Sequence, residues 1–330
     1  MKYFSTFSGM GVFEYACQEF QWDCVGYSEI DKYAASVYKY HFPGHKNFGD
    51  ITKINIEKLP DFDLLVGGSP CQDLSIAKQG REGLQGEKSK LFYKYLEILK
   101  IKKPRFFLLE NVNSMSEENK NKISSLLGTQ PIMINAALVS AQQRKRLFWC
   151  NWQVEQPIDR HIYLQDIIED GYIEKEKKRQ IIFNSSVHIG QIGKGGQGDR
   201  IYSMQGKSVC LSANSGGRGA RTGLYVIGCA KRTRENKGKQ LELRKDLKSN
   251  ALTTVQTDSM VNLKDCVRKL TPVECERLQS LPDNFTAVGI TKQEQKIKIS
   301  NTQRYKMCGN AFNALVIRHL LLALTKSYYV

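Results

Sequence analysis

Lys2-Tyr3-Phe4-Ser5-Thr6-Phe7-Ser8-Gly9-Met10-Gly11-Val12-Phe13-Glu14 begins the 330-residue chain as a short apolar strand, a glycine-rich turn and the start of a helix. The same unit repeats outward from it. Val12–Phe20 has helical spacing, Asp23–Tyr27 reads as a strand and Lys32–Phe42 as a helix. Phe62–Gly67 is a third buried strand, Leu91–Lys100 is amphipathic, and Arg105–Leu109 is a fourth apolar run. Met133–Val139 and Arg146–Trp152 read as two more strands. Strands that are apolar on both faces and alternate with helices indicate a mostly parallel, doubly wound α/β sheet covered by helices.

In such a sheet, ligands bind at the carboxyl ends of the strands. The Gly9-Met10-Gly11 turn lets a nucleotide-like ligand approach the backbone. The second strand ends in Ser28-Glu29-Ile30-Asp31, where an acid can hydrogen-bond a ribose diol. NAD and S-adenosylmethionine both satisfy these two features. Gly49-Asp50-Ile51 is expected at the end of the next strand, over the adenine, where Asp50 can accept from an amino group. Phe62-Asp63-Leu64-Leu65-Val66-Gly67-Gly68-Ser69-Pro70-Cys71-Gln72 runs a buried strand into a Gly-Gly turn and delivers a cysteine to the same edge. A lone cysteine is usually a small buried hydrophobe. Its place at a strand end, before a segment containing Gly80, Gly83 and Gly86, argues for reactivity instead. Four consecutive apolar residues, Phe106–Leu109, carry Glu110 to that edge, where a carboxylate needs a partner or a raised pKa. Gln142-Gln143-Arg144-Lys145-Arg146 leads basic residues into a buried strand, and a partner is expected for them.

After about Asp170 the character changes. Glu174–Arg179 is a dense charge run, and Val187–Asp265 is rich in Gly, Ser, Thr and Asn with short β-like pieces. Helical periodicity returns at Thr271–Leu281, behind the capping-box pattern Thr271-Pro272-Val273-Glu274, and at Asn310–Tyr328. The division expected is a catalytic and cofactor-binding domain over 1–175, completed by 301–330, and a smaller, irregular β-rich domain with a hinge over 176–300. The formal net charge of +16 favours a polyanionic partner. The nine cysteines form no Cys-x-x-Cys pair and no cluster at zinc spacing, so neither a disulfide framework nor a metal is expected. No secretory signal and no apolar run of membrane-spanning length is read, and the expected location is cytoplasmic.

Ser69-Pro70-Cys71-Gln72, Glu110-Asn111-Val112 and Gln142-x-Arg144-x-Arg146 occur in the order seen in DNA (cytosine-5)-methyltransferases. So do Arg268-Lys269-Leu270-Thr271-Pro272-Val273-Glu274-Cys275-Glu276-Arg277-Leu278-Gln279 and Tyr305-Lys306-Met307-Cys308-Gly309-Asn310-Ala311. The chain resembles that family, in its bacterial modification-enzyme form, over nearly its whole length outside Val187–Asp265. That region is where the family carries its variable target-recognition domain. Two departures fall on the cofactor side: Val12 stands where a further glycine is common, and Phe312-Asn313 lacks the frequent proline.

The resemblance implies an S-adenosylmethionine-dependent enzyme that modifies duplex DNA as a monomer associated with the nucleoid. It implies Cys71 as nucleophile, Glu110 as the group holding the base, Arg146 on the base oxygen 2 and Arg144 bracing Glu110 or a phosphate. The cofactor pocket would comprise Phe7, Gly9, Gly11, Glu29, Ile30, Asp50, Ile51, Pro70, Leu91 and Asn310. Gln72–Lys90 would form a lid, with Gln72 and Ser75 near the base or backbone and Lys78 and Arg81 on phosphates. Arg218 and Arg221 would contact base edges or phosphates.

One branch of the family methylates tRNA with the same Cys, Glu and Arg set. The Cys-Phe-Thr element typical of that branch is absent here. A non-catalytic DNA-binding relative would usually lack the nucleophile or the glutamate. An NAD-dependent oxidoreductase accounts for the glycine turn and Glu29, but not for Pro70-Cys71, Glu110 or the two arginines.

Overall fold

The computed structural model describes residues 1–70, 91–169, 181–182, 190–192, 200–203, 224–226 and 270–328. Strands β1 (Lys2–Thr6), β2 (Asp23–Ser28), β3 (Leu64–Gly68), β4 (Phe106–Val112), β5 (Ile132–Asn135) and β6 (Lys145–Cys150) form one sheet. Their order is β2-β1-β3-β4-β6-β5, and only β6 runs against the others. Leu64, Val66, Phe106 and Leu108 belong to one buried cluster, and Leu65, Phe107 and Leu109 to another. Successive side chains leave a strand on opposite sides, so a strand covered on both faces reads as an unbroken apolar run. Helices α1 (Val12–Cys17), α2 (Lys32–His41), α5 (Pro272–Leu278), α6 (Asn301–Asn310) and α7 (Ala314–Tyr328) contribute to the first cluster. Helices α3 (Leu91–Lys102) and α4 (Glu117–Leu127) build the second. The result is the mixed α/β architecture with a mostly parallel central sheet that the strand pattern predicts.

A second sheet joins β7 (Ile181–Ile182), β8 (Gly190–Ile192), β9 (Arg200–Ser203) and β10 (Leu224–Val226) in the order β10-β9-β8-β7. Its β9–β10 pair is parallel and the other two are antiparallel. β11 (Val288–Ile290) and β12 (Lys296–Lys298) form an antiparallel hairpin. This hairpin packs on α2, where Gly289 faces Ser36 without room for a Cβ. Helix α5 starts as its sequence pattern predicts. Thr271 Oγ1 accepts from the Glu274 amide at 3.1 Å, and the Glu274 carboxylate accepts from the Thr271 amide at 2.8 Å.

Several elements differ from their sequence reading. Met133–Val139 is a strand only to Asn135, whose side chain accepts from the Ala137 amide and turns the chain into a 3-10 helix over Ala136–Leu138. Gly49-Asp50-Ile51 ends no strand. Asp50 caps a 3-10 turn over Ile51–Lys53, accepting from the Thr52 amide and hydroxyl at 2.9 and 2.8 Å. The expected helix Asn310–Tyr328 is α7 and begins only at Ala314, while α6, which ends at Asn310, has no counterpart in the sequence reading. Ala311 is extended, and Asn313 restarts the helix by accepting from the Val316 amide. Across that break the stretch Asn301–Ser327 reaches membrane-spanning length and hydropathy. Within α7, however, Ile317, Leu320, Leu321 and Leu324 are fully buried in the core. Helix α4 has no counterpart in the sequence reading. Its 11 residues carry few apolar side chains, and its signals are the Ser116 cap and the left-handed Gly128 that ends it.

Glu14 of α1 is 2% exposed, and neither carboxyl oxygen has a hydrogen-bond partner. Burial pushes its pKa up to about 7, against a weaker opposite pull from the nearby backbone and the Ser5 and Tyr38 hydroxyls. A carboxyl with a raised folded-state pKa contributes stability below the ordinary carboxylate range and loses it as pH rises through about 7. Glu14→Met removes the ionisation and keeps the volume. It is expected to raise the melting temperature at pH 8 by the equivalent of about 3 kcal/mol and to change it far less at pH 4. Equal shifts at both pH values in thermal denaturation would contradict this.

Candidate active site

The carboxyl ends of β1 to β4 open into one cavity of about 260 Å³. At its first end the chain between β1 and α1 makes a tight turn. Phe7, Gly9 and Gly11 have φ of 53°, 59° and 88°, in the left-handed region where a side chain is strained. The turn is held by Ser8, whose amide donates to Ser28 O at 3.2 Å and whose hydroxyl donates to Ser5 O at 3.0 Å. Glu29 closes it from the end of β2, accepting from the Gly9 amide at 2.8 Å and the Asp31 amide at 2.7 Å. Burial holds the Glu29 carboxyl above its usual range, against the pull of those amides. Beside it Ile30 is 71% exposed, an apolar face turned to the cavity.

Of the ten residues expected on the cofactor side, Phe7, Gly9, Glu29, Ile30, Asp50, Ile51, Pro70, Leu91 and Asn310 all line this cavity. Gly11 does not. It stands behind the turn, where a Cβ would come within 2.7 Å of the Phe42 ring, so its glycine serves packing and backbone conformation.

The register of the sheet assembles the other end. Gly68 lies opposite Glu110 in β3–β4, and Arg146 lies opposite Val112 in β4–β6. Glu110 and Val112 share a face, so Arg146 reaches Glu110 along the diagonal, and its Nε lies 2.9 Å from Glu110 Oε1. The two side chains are only 16% and 13% exposed. Burial pushes the Glu110 pKa up, while the Arg146 and Arg144 guanidiniums pull it down. The net shift is upward, so the carboxyl keeps its proton to higher pH than an ordinary carboxylate, beside a fixed donor.

Arg144 occupies a different place. It is 3% exposed, and its Nη2 donates to the Gly309 carbonyl at 3.1 Å and the Ala311 carbonyl at 2.7 Å. It thus ties the segment before β6 to the joint between α6 and α7, which suits a positioning role better than a phosphate contact. Cys71, Gln72, Ser75, Lys78, Arg81, Arg218 and Arg221 lie outside the described residues.

Three contributors stand in stretches that the sequence reading quoted, but it gave them no role in the site. Asn111 is fully buried and donates to Ser69 O at 3.2 Å and Ser69 Oγ at 3.1 Å, pinning the turn that leads to Pro70. Strand alternation points Asn111 away from Glu110, and a buried amide in an apolar strand signals a partner. Lys306 of α6 pairs with Asp31 at 2.5 Å, and both line the cavity. Phe312 packs on Gly68, where a Cβ would lie 2.8 Å from the ring. The last two contacts span more than 240 residues of chain and leave no local pattern.

The C-5 cytosine-specific DNA methylase family model matches residues 1–326. The type II methyltransferase M.HhaI of Haemophilus parahaemolyticus is 29% identical over 351 residues, covering 97% of this chain and 93% of its own. The orphan methyltransferase M.SPRI of Bacillus phage SPR is 26% identical over 444 residues, covering 99% and 98%. Among solved structures, the Entamoeba histolytica methyltransferase EhMeth aligns with a TM-score of 0.68 at 17% identity, over 99% of this chain and 98% of that one. The S. pombe Dnmt2 methyltransferase aligns with a TM-score of 0.62 at 16% identity, over 100% of both. At that identity the two structures speak for the fold alone. With the family match running from the β1 turn through α7, the chain belongs to the C-5 cytosine-specific DNA methylases and is a cytosine-5 DNA methyltransferase.

Proposed function

We propose that this chain methylates carbon 5 of a flipped-out cytosine in duplex DNA, with S-adenosylmethionine as donor and Cys71 as nucleophile at carbon 6. One observation carries the reading. A single cavity joins Glu29 and Gly9 at one end to the Glu110–Arg146 pair at the other, with Pro70, the neighbour of Cys71, on its wall. The residues present fit the donor. Glu29 suits a ribose diol, Ile30 offers an apolar face to a ring, and Asp50 is an acceptor for an amino group. When bound, S-adenosylmethionine supplies a methyl group made electrophilic by its sulfonium.

Carbon 5 of cytosine is a poor nucleophile. The Cys71 thiolate adds to carbon 6 and pushes an electron pair towards carbon 5. Glu110 in its acid form donates to ring nitrogen 3 and accepts from the exocyclic amine, which stabilises the ring as charge arrives. Arg146 donates to oxygen 2. Arg144 and Asn111 keep these groups in register from behind. After methylation a base removes the carbon 5 proton, its electron pair reforms the ring double bond, and Cys71 leaves as thiolate. None of this is possible inside a stacked duplex, so the base must leave the helix. Gln72, Ser75, Lys78 and Arg81 would meet the opened DNA. Arg218 and Arg221 would act from the 187–265 segment, the candidate for reading the target sequence.

The test compares transfer of a tritiated methyl group to duplex DNA and to tRNA, with bisulfite sequencing of the product. Incorporation into tRNA alone would overturn the substrate assignment. A chimera carrying the 187–265 segment of a relative with another target should methylate a different site. If an active chimera keeps the old site, recognition lies elsewhere.

Glu29→Ala removes an acceptor for the donor's ribose. It is expected to weaken binding of S-adenosylhomocysteine by about 1–3 kcal/mol without changing the DNA site. Unaltered affinity in calorimetric titration would defeat the assignment of Glu29.

A further inference from the structure

Phe312 is an aromatic side chain on the cavity wall beside Glu110. It follows Asn310 by two residues, and its ring packs against Gly68. A Cβ on Gly68 would meet Phe312 Cε1 at 2.8 Å, Phe312 Cζ at 3.0 Å and Glu110 Oε2 at 3.3 Å. Ring and carboxylate therefore share one face of the same glycine. The backbone beneath the ring blocks its retreat towards the sheet. The joint that carries it is fixed on both sides. Arg144 holds the Gly309 and Ala311 carbonyls, and the Asn313 side-chain amide donates to Leu278 O at 3.0 Å and Ser280 Oγ at 3.1 Å. The Ala314 amide donates to Gln279 O at 2.9 Å. Phe7, the other aromatic among the described lining residues, belongs to the β1–α1 turn at the far end.

We propose that Phe312 is a specificity-determining wall that limits the group carried on the donor sulfur to the size of a methyl. The proposal rests on the reading of this cavity as the site of S-adenosylmethionine. A ring held beside Glu110 on the cavity wall bounds the space that the donor's transferable group must enter to reach the base. An extra methylene there must displace the ring, and the Gly68 backbone blocks its movement towards the sheet.

The test is calorimetric and needs no DNA. Wild type and Phe312→Ala are titrated with S-adenosylhomocysteine, S-adenosylmethionine and S-adenosylethionine, whose transferable group is one methylene longer. Wild type should bind the ethyl compound at least about tenfold more weakly than the methyl compound, and Phe312→Ala should remove most of that difference. Affinity for S-adenosylhomocysteine, which carries no such group, should stay within about threefold, the loss of ordinary apolar contact. Phe312→Leu preserves an apolar side chain at the joint and should give an intermediate ratio, including where the alanine variant is poorly folded. If wild type binds S-adenosylhomocysteine but the ethyl-to-methyl ratio is the same in all three proteins, the wall is wrong and the cavity reading stands. If wild type does not bind S-adenosylhomocysteine, the cavity reading falls and takes the wall with it.

Discussion

A duplex with 5-fluorocytosine at the target position is expected to capture the protein through Cys71 in an adduct that survives denaturant. The thiolate can still add to carbon 6, and the methyl group can still reach carbon 5. Elimination then requires fluorine to leave as a cation, which it cannot, so the sulfur–carbon bond remains. Formation of the shifted band should require S-adenosylmethionine and the correct sequence. Cys71→Ser should abolish it and lower methyl transfer on the order of 10³-fold or more, because an alcohol of high pKa adds far less readily. Binding to unmodified target DNA should survive, since most such contacts are made to the phosphate backbone by other residues. Peptide mapping should place the adduct on the fragment containing Pro70-Cys71-Gln72. An adduct on another of the nine cysteines, or one undiminished in Cys71→Ser, would mean that the nucleophile is misassigned.

Glu110→Gln is expected to lower the single-turnover rate by about 10²–10⁴-fold, the usual worth of a positioned acid. The amide is nearly the same size and can still hydrogen-bond the base, but it cannot deliver a proton to nitrogen 3. It also leaves Arg146, whose Nε lies 2.9 Å from a carboxylate oxygen in the wild type, without its buried counter-charge. The pH profile separates these effects. Burial holds the Glu110 pKa above the ordinary carboxylate range, so its acid form persists to higher pH than usual and declines as pH rises through that raised value. The wild-type rate constant should fall with it, and Glu110→Gln should lack that alkaline limb. S-adenosylhomocysteine affinity should change little, because Glu110 sits at the opposite end of the cavity from Glu29. An unchanged rate, or the same alkaline limb in the variant, would remove Glu110 from the chemistry.

Much of this arrangement is legible in the amino-acid order. Leu64-Leu65-Val66 and Phe106-Phe107-Leu108-Leu109 announce strands covered on both faces, because alternation along a strand is written in adjacent residues. The Thr271–Glu274 capping box is equally local, and both of its hydrogen bonds are present. Elements governed by weak local signals are hard to read. The 3-10 turn after Asp50 and the restart at Asn313 depend on single side chains capping the backbone, and α4 carries few apolar side chains. Arg144 and Arg146 look equivalent in the Gln142–Arg146 stretch. Yet one faces Glu110 and the other is buried against two carbonyls more than 160 residues away.

The ordered motifs identify the enzyme class and put Cys71 forward as the proposed nucleophile, because Cys71, Pro70 and the strand end are neighbours in the chain. The α/β class follows from hydrophobic period for the same reason: the information is local. Folding contributes the pairings between distant segments. β3–β4 register sets Gly68 beside Glu110, the diagonal across β4–β6 joins Glu110 to Arg146, and the α6–α7 joint brings Phe312 onto Gly68. Such contacts arise from packing two surfaces at once. No residue spacing encodes which side chain will meet an empty glycine face 244 positions earlier, so the shape of the reaction space belongs to the assembled fold.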